Sequence, residues 1–186
     1  HREGILFEGA STPLDVTAVA IPWVGRRFTE VIERYPNLAT FGLMVKDTSR
    51  GRVLPGPGEL PVIRYDLNRH DLERMQKGIA LLVELFLRAG AKRVLPMVTG
   101  QDEIDDEAGL ARLRERTLRP GDFEVTAFHP LGTCRMGGRA DTSCVDPEGE
   151  AHHVRGLVVA DGSAVPSSLG VNPQMTIMAL ALRFDP

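Results

Sequence analysis

Asn68-Arg69-His70-Asp71-Leu72-Glu73-Arg74-Met75-Gln76-Lys77-Gly78-Ile79-Ala80-Leu81-Leu82-Val83-Glu84-Leu85-Phe86-Leu87-Arg88-Ala89-Gly90 is the stretch on which the fold class turns. Leu72, Met75, Ile79, Leu82, Val83 and Phe86 recur at helical spacing and share one face. Asn68 stands at the N-cap position with an acidic residue, Asp71, three places on. Gly90 stands where a glycine ends a helix. The stretch therefore predicts one long amphipathic helix with an apolar face that needs a partner.

Upstream of the helix the period changes. Residues 41–46, 51–54 and 61–67 are short strand-like runs, separated first by Asp47, Thr48 and Ser49 and then by Pro55-Gly56-Pro57-Gly58. Parallel neighbours need a crossover of a dozen residues, so spacing this short predicts antiparallel strands. Strands followed by helices make the fold class α+β, an antiparallel sheet with helices against it. Residues 1–24 read weakly as strand, and residues 26–35 as a short helix stopped by Pro36. Residues 92–95 read as a further short strand. Residues 101–118 begin acidic and end basic, which matches the helix dipole, and the expectation is an exposed helix.

Composition shifts near Pro120. Downstream the chain is rich in Gly, Pro and small residues, which sets a boundary between residues 1–120 and 121–186. Val154-Arg155-Gly156-Leu157-Val158-Val159-Ala160 reads as a buried strand, and Asp161-Gly162-Ser163 as the turn that leaves it. Residues 173–182 read as a helix with Asn172 at its N-cap and Pro173 at its first position, where proline is favoured.

Bulk properties narrow the classes. The 186 residues carry 22 Lys and Arg against 25 Asp and Glu, with 42% hydrophobic residues. Near-neutral charge offers nothing to nucleic acid or an anionic membrane. No apolar run approaches the roughly 18 residues of a membrane span. Cys134 and Cys144 are too few for a disulfide scaffold, so two reduced thiols and a cytoplasmic location are expected. The sequence opens on His1 and closes on Pro186, and both ends read as cuts in a longer parent, whose own leader stays open.

Three motifs carry chemistry. Phe128-His129-Pro130-Leu131-Gly132-Thr133-Cys134-Arg135-Met136-Gly137 lacks any regular period, and such a loop presents a side chain to a cleft. A histidine there can take or give a proton near neutral pH. Gly156-Leu157-Val158-Val159-Ala160-Asp161-Gly162-Ser163 and Asn172-Pro173-Gln174-Met175-Thr176 follow in order. The last of these opens a helix whose free N–H groups and positive dipole end suit an anion or an electron-rich ring. Ordinary structural roles also account for each feature alone: a loop histidine, and an asparagine N-cap.

Together the three motifs resemble the glucose–methanol–choline oxidoreductases, FAD-dependent alcohol oxidases and dehydrogenases. The resemblance spans residues 128–182 and is of the choline- and cholesterol-oxidase-like type, with a histidine and an asparagine as the pair. It implies His129 as the base that receives the alcohol proton and Asn172 as its second member. It implies that Asp161 and Gly162 approach the ribityl–phosphate chain of FAD, and that Asn172, Pro173, Gln174, Met175 and Thr176 lie under the pyrimidine edge. It also implies that residues 1–120 are part of a substrate-binding domain and residues 121–186 the C-terminal return of an FAD-binding α/β domain. The partners implied are an alcohol and the N-terminal FAD-binding part of the same parent.

One departure limits this. No G-x-G-x-x-G occurs, so the ADP half of FAD has no recognisable site here. The isolated chain is expected neither to hold FAD tightly nor to turn over alcohol. Three other readings carry less weight. His129, Cys134, Cys144, His152 and His153 are zinc-type residues, but they lack C-x-x-C spacing, and His152 and His153 read as solvated, so no metal is expected. Ser163, Ser167 and Ser168 lie near His129 and Asp161 without a G-x-S-x-G elbow, and Ser163 reads as a turn residue. A stand-alone binding module without catalysis is the third.

Overall fold

The Asn68 side chain accepts the Asp71 amide at 2.9 Å, and helix α3 (Arg69–Arg88) begins there. The computed structural model describes residues 3–58 and 60–184. In chain order its other elements are β1 (Ile5–Ala10), α1 (Leu14–Val19), α2 (Arg26–Ile32), β2 (Thr40–Val45), β3 (Arg52–Pro55), β4 (Pro61–Arg64), α4 (Glu107–Glu115) and α5 (Gln174–Arg183). Short 3₁₀ turns occupy Tyr35–Asn37, Pro120–Asp122 and Gly162–Ala164. The described residues thus mix helices with two small antiparallel sheets. None of their helices is long and apolar enough to cross a membrane.

Two compact units form. The first holds the described residues through Val45 together with Asn68–Val125; the second holds Lys46–Leu67 and the residues from Thr126 onward. The composition shift near Pro120 thus lies five residues before the point where the first unit ends. The Lys46–Leu67 hairpin segment clusters with the second unit, although it precedes α3 in the chain.

In the first unit, β1 pairs antiparallel with β2, Ile5 opposite Val45 and Ala10 opposite Thr40. Leu43 of β2 rests on α3 at Gly78, where a Cβ would lie 2.7 Å from Leu43 Cδ1. Phe41 meets Phe86 edge to face at 5.4 Å. Val83, Ile104, Leu110 and Leu113 are almost fully buried. Each such aliphatic side chain contributes about 1.5–3 kcal/mol by leaving water. Gln76 of α3 closes the far end of α4. Its amide nitrogen donates to the carbonyls of Leu113, Arg114 and Arg116 at 2.8, 3.3 and 2.7 Å.

Several expectations change here. The three runs 41–46, 51–54 and 61–67 do not form one meander: β3 pairs with β4, Arg52 opposite Arg64, while β2 finds β1 thirty residues upstream. The helix expected over 101–118 is shorter, and it is not exposed all round, because Leu110 and Leu113 face the core. Its start is fixed by Asp106, whose side chain accepts the Gly109 amide. Residues 92–95 contribute one bridge, Val94 to Ile104, rather than a strand.

In the second unit the buried strand expected over 154–160 is absent. Val154, Leu157 and Val158 are about half exposed, and only Val158 bridges, to Glu150. That one bridge is closed by Ala151 N–H donating to Leu157 O and Val159 N–H to Gly149 O, and turns hold the rest, with Val154 N–H donating to Ala151 O and Leu157 N–H to Val154 O. Glycine at position 149 permits this, with φ of +85° and the Phe184 ring where a Cβ would stand.

Candidate active site

The loop that carries His129 is tied down by backbone bonds. Gly132 N–H donates to Gly162 O at 3.4 Å, Cys134 N–H to Ser163 O at 3.0 Å, and Met136 N–H to Ala164 O at 2.9 Å. The motif around His129 and the turn after Asp161 therefore run side by side. Gly132 has φ of +78° and lies so close to the Val165 carbonyl that a Cβ would stand 3.3 Å from its oxygen. Beneath this ladder Val145, Ala164 and Phe184 form a buried cluster, with Met136, Val159 and Leu180 packed on it. Buried apolar contacts thus anchor one side of the loop and leave the His129 side open.

An open depression of about 360 Å³ is lined by Phe128, His129, Pro130, Leu131, Thr133, Asp161, Gly162, Ser163, Pro173 and Ile177. Of the residues singled out in the sequence, His129, Asp161, Gly162 and Pro173 meet there. Asn172, Gln174, Met175 and Thr176 continue the chain on either side of Pro173 without lining it. The structure starts α5 at Gln174 with Pro173 before it, and no side chain caps the helix. Asn172 is therefore exposed and is not the N-cap expected of it, because the helix begins one residue later.

That shift leaves donors free. The first backbone bond of α5 runs from Ile177 N–H to Pro173 O at 2.8 Å. The N–H groups of Gln174, Met175 and Thr176 precede it and have no carbonyl four residues back within the helix. Asp161 is the N-cap of the 3₁₀ turn, accepting the Ser163 amide at 2.7 Å. The Ser163 hydroxyl, and then its amide, hold the Asp161 carboxyl below the ordinary aspartate range, against a smaller opposing effect of burial. The site thus offers an exposed imidazole, a carboxylate kept ionised and a row of unpaired helix donors.

A family model described as GMC oxidoreductase matches residues 47–181. The chain belongs to the GMC oxidoreductases. An uncharacterized GMC-type oxidoreductase of Mycobacterium tuberculosis is 34% identical over 184 residues, covering 98% of this chain and 29% of the relative. A long-chain-alcohol oxidase of Arabidopsis thaliana is 27% identical over 170 residues, 87% of this chain and 23% of the plant protein. Choline oxidase of Arthrobacter globiformis is 46% identical over 96 residues, 44% of this chain and 18% of that enzyme. The chain spans less than a third of the length of these relatives.

The other residues weighed in the sequence take the following places. Among the described residues, no three or more His, Cys, Asp or Glu group together as metal ligands would. Cys134 and Cys144 are free thiols. His153 is exposed, as expected, but His152 is half-buried and hydrogen-bonded rather than solvated. Ser163 is a turn residue that also lowers the pKa of the Asp161 carboxyl, a role its place after Asp-Gly did not reveal. The apolar wall of Phe128, Leu131 and Ile177 was also not singled out. Phe128 and Leu131 lie within the histidine motif itself, which was the available signal.

The donor set can be matched to ligand chemistry. An electron-rich ring edge suits the unpaired N–H groups at the start of α5, and a polyol chain suits an ionised Asp161. Gly162 keeps the floor of the depression tight, since a Cβ there would stand 3.1 Å from Ile177 Cδ1 and 3.2 Å from Leu131 Cδ2.

Proposed function

We propose that this chain is the C-terminal portion of an FAD-dependent enzyme that oxidises an alcohol, with His129 as the base and Asn172 orienting the hydroxyl. The observation that carries the reading is the meeting of His129, Asp161, Gly162 and Pro173 on one open depression. Membership of the GMC oxidoreductases and the names of the alcohol- and choline-oxidising relatives support it.

Asp161, Gly162, Asn172, Pro173, Gln174, Met175 and Thr176 are the residues that would hold FAD. When bound, FAD supplies the hydride acceptor. The chain supplies the rest. A ring nitrogen of His129, within roughly 2.6–3.2 Å of the substrate hydroxyl, takes its proton. The Asn172 amide both donates and accepts, so it can fix the same hydroxyl in one orientation. The N–H groups of Gln174, Met175 and Thr176, with the positive end of the helix dipole, favour negative charge built up beside them. Ionised Asp161 accepts hydrogen bonds from hydroxyls along the cofactor's polyol chain.

Residues 1–120 then belong to the substrate-binding domain and residues 121–186 to the FAD-binding domain. The missing dinucleotide fingerprint falls in the N-terminal part of the parent, which is the principal partner. These 186 residues alone neither retain FAD nor turn over alcohol; a flavin spectrum in a preparation of them overturns that statement.

The test uses the longer protein. Its flavin spectrum is recorded, and anaerobic bleaching by primary and secondary alcohols is followed in wild type and His129→Ala. Loss of a general base slows bleaching by roughly 10²–10⁴-fold. An unchanged rate removes His129 from the mechanism. A folded protein without flavin replaces the enzyme with a non-catalytic module of the same fold.

A further inference from the structure

The far end of the His129 motif is held by a second histidine. His152 Nε2 lies 3.1 Å from Gly137 O and 2.9 Å from Ser143 Oγ. A carbonyl only accepts, so Nε2 carries the proton and donates. The Ser143 hydroxyl lies 2.9 Å from the same Gly137 carbonyl and 2.5 Å from Arg139 O. It can donate to one of them at a time while its oxygen receives the histidine. Both side chains are half-buried.

The neighbouring backbone is bonded as closely. His152 N–H donates to Cys144 O at 3.1 Å, Cys144 N–H to Arg135 O at 3.0 Å, and Gly137 N–H to Val145 O at 2.9 Å. Glycine at position 137 makes room for Ser143. A Cβ at position 137 would stand 3.0 Å from Ser143 Cβ and 3.2 Å from its Oγ. The segment 132–137 is therefore clamped on two sides. The Gly162–Ala164 turn holds it through Gly132, Cys134 and Met136, and the 143–152 segment holds its end.

We propose that His152 is a positioning residue for the reaction: its Nε2–H, with the Ser143 hydroxyl, fixes the Gly137 carbonyl and so the register of the ladder from which His129 projects. The proposal rests on the reading of His129 as the base. His152 does not line the depression that holds His129. It removes freedom from a loop that has no helix or strand of its own, and misplacement of a base lowers the rate without emptying the cofactor site.

The experiment compares His152→Leu, His152→Gln and Ser143→Ala in the flavin-loaded longer protein. Leucine keeps the bulk and loses the donor; the glutamine amide can restore it. Expected are a kcat about tenfold lower for His152→Leu, on the scale of one hydrogen bond, little change in KM or flavin content, and recovery in His152→Gln. Amide hydrogen exchange of peptides covering residues 132–137 rises in the leucine variant and not in the glutamine one. In a His129→Ala background, His152→Leu has no further effect on flavin bleaching. Wild-type kcat and unchanged exchange in His152→Leu overturn the proposal, as does an undiminished effect in the His129→Ala background. If His152→Leu yields no flavin-loaded protein, Ser143→Ala takes its place, and wild-type rate and exchange there overturn it equally. If His129→Ala itself bleaches normally, it is the reading of His129 that has failed.

Discussion

The Cys134 amide donates to the Ser163 carbonyl at 3.0 Å, tying the loop that carries His129 to the turn that carries Asp161. Twenty-nine residues separate them in the chain. The bond is one rung of the ladder, and it makes the two motifs a single piece of backbone. A change on the Asp161 side is therefore expected to be felt at the site as a whole.

Ser163→Ala tests the electrostatics. The hydroxyl is the largest cause of the depressed Asp161 carboxyl, and the amide bond survives its loss. The folded pKa is below the unfolded one, so its stabilisation is present above the unfolded aspartate value and disappears as pH falls through the lower folded value. In the variant the Asp161 carboxyl titrates nearer the ordinary aspartate range, and this stabilisation shrinks in the acid region. Carbon-detected NMR titration of the Asp161 carboxyl checks this. An unmoved midpoint removes the hydroxyl as the cause.

Gly162→Ala tests the floor of the depression. The new methyl meets Ile177 Cδ1 at 3.1 Å and Leu131 Cδ2 at 3.2 Å, so both side chains must give way. Overpacking of this kind costs about 1–3 kcal/mol. The longer protein is expected to melt at a lower temperature and to carry less flavin per chain. A thermal scan and the ratio of visible to ultraviolet absorbance measure both; a variant matching wild type in each would show that the floor yields freely.

Gln76→Leu tests how α3 holds α4. Leucine is close in volume but leaves the carbonyls of Leu113, Arg114 and Arg116 without their donor. Unsatisfied, partly buried acceptors cost about 1–3 kcal/mol. Gln76→Glu should be worse, because it turns carboxylate oxygens on carbonyl oxygens. Thermal unfolding ranks the variants, and amide exchange across residues 107–118 should rise in both. Equal stability of all three proteins would show that water replaces the amide.

The local pieces of this protein were legible in its residues alone. Asn68 and Asp71 mark the start of α3 because an asparagine oxygen three residues from a free amide satisfies it within one turn. Pro55-Gly56-Pro57-Gly58 marks the β3–β4 connection because those residues carry their backbone preferences with them. The three motifs mark the GMC oxidoreductases because their residues lie close along the chain. What needed the tertiary structure was most choices of partner. β3 pairs with β4 across the short turn, as the spacing suggests, but β2 pairs with the distant β1 and packs against α3. The apolar residues of 154–160 spelled a buried strand, but the neighbour they find pairs only at Val158, and turns and solvent take the rest. The helix expected to be exposed over 101–118 buries Leu110 and Leu113, because its other side is held by α3 through Gln76. Asn172 and His152 show the same limit at the site. A cap and a hydrogen bond depend on where the backbone lies to within an ångström, and that is set by contacts far away in sequence.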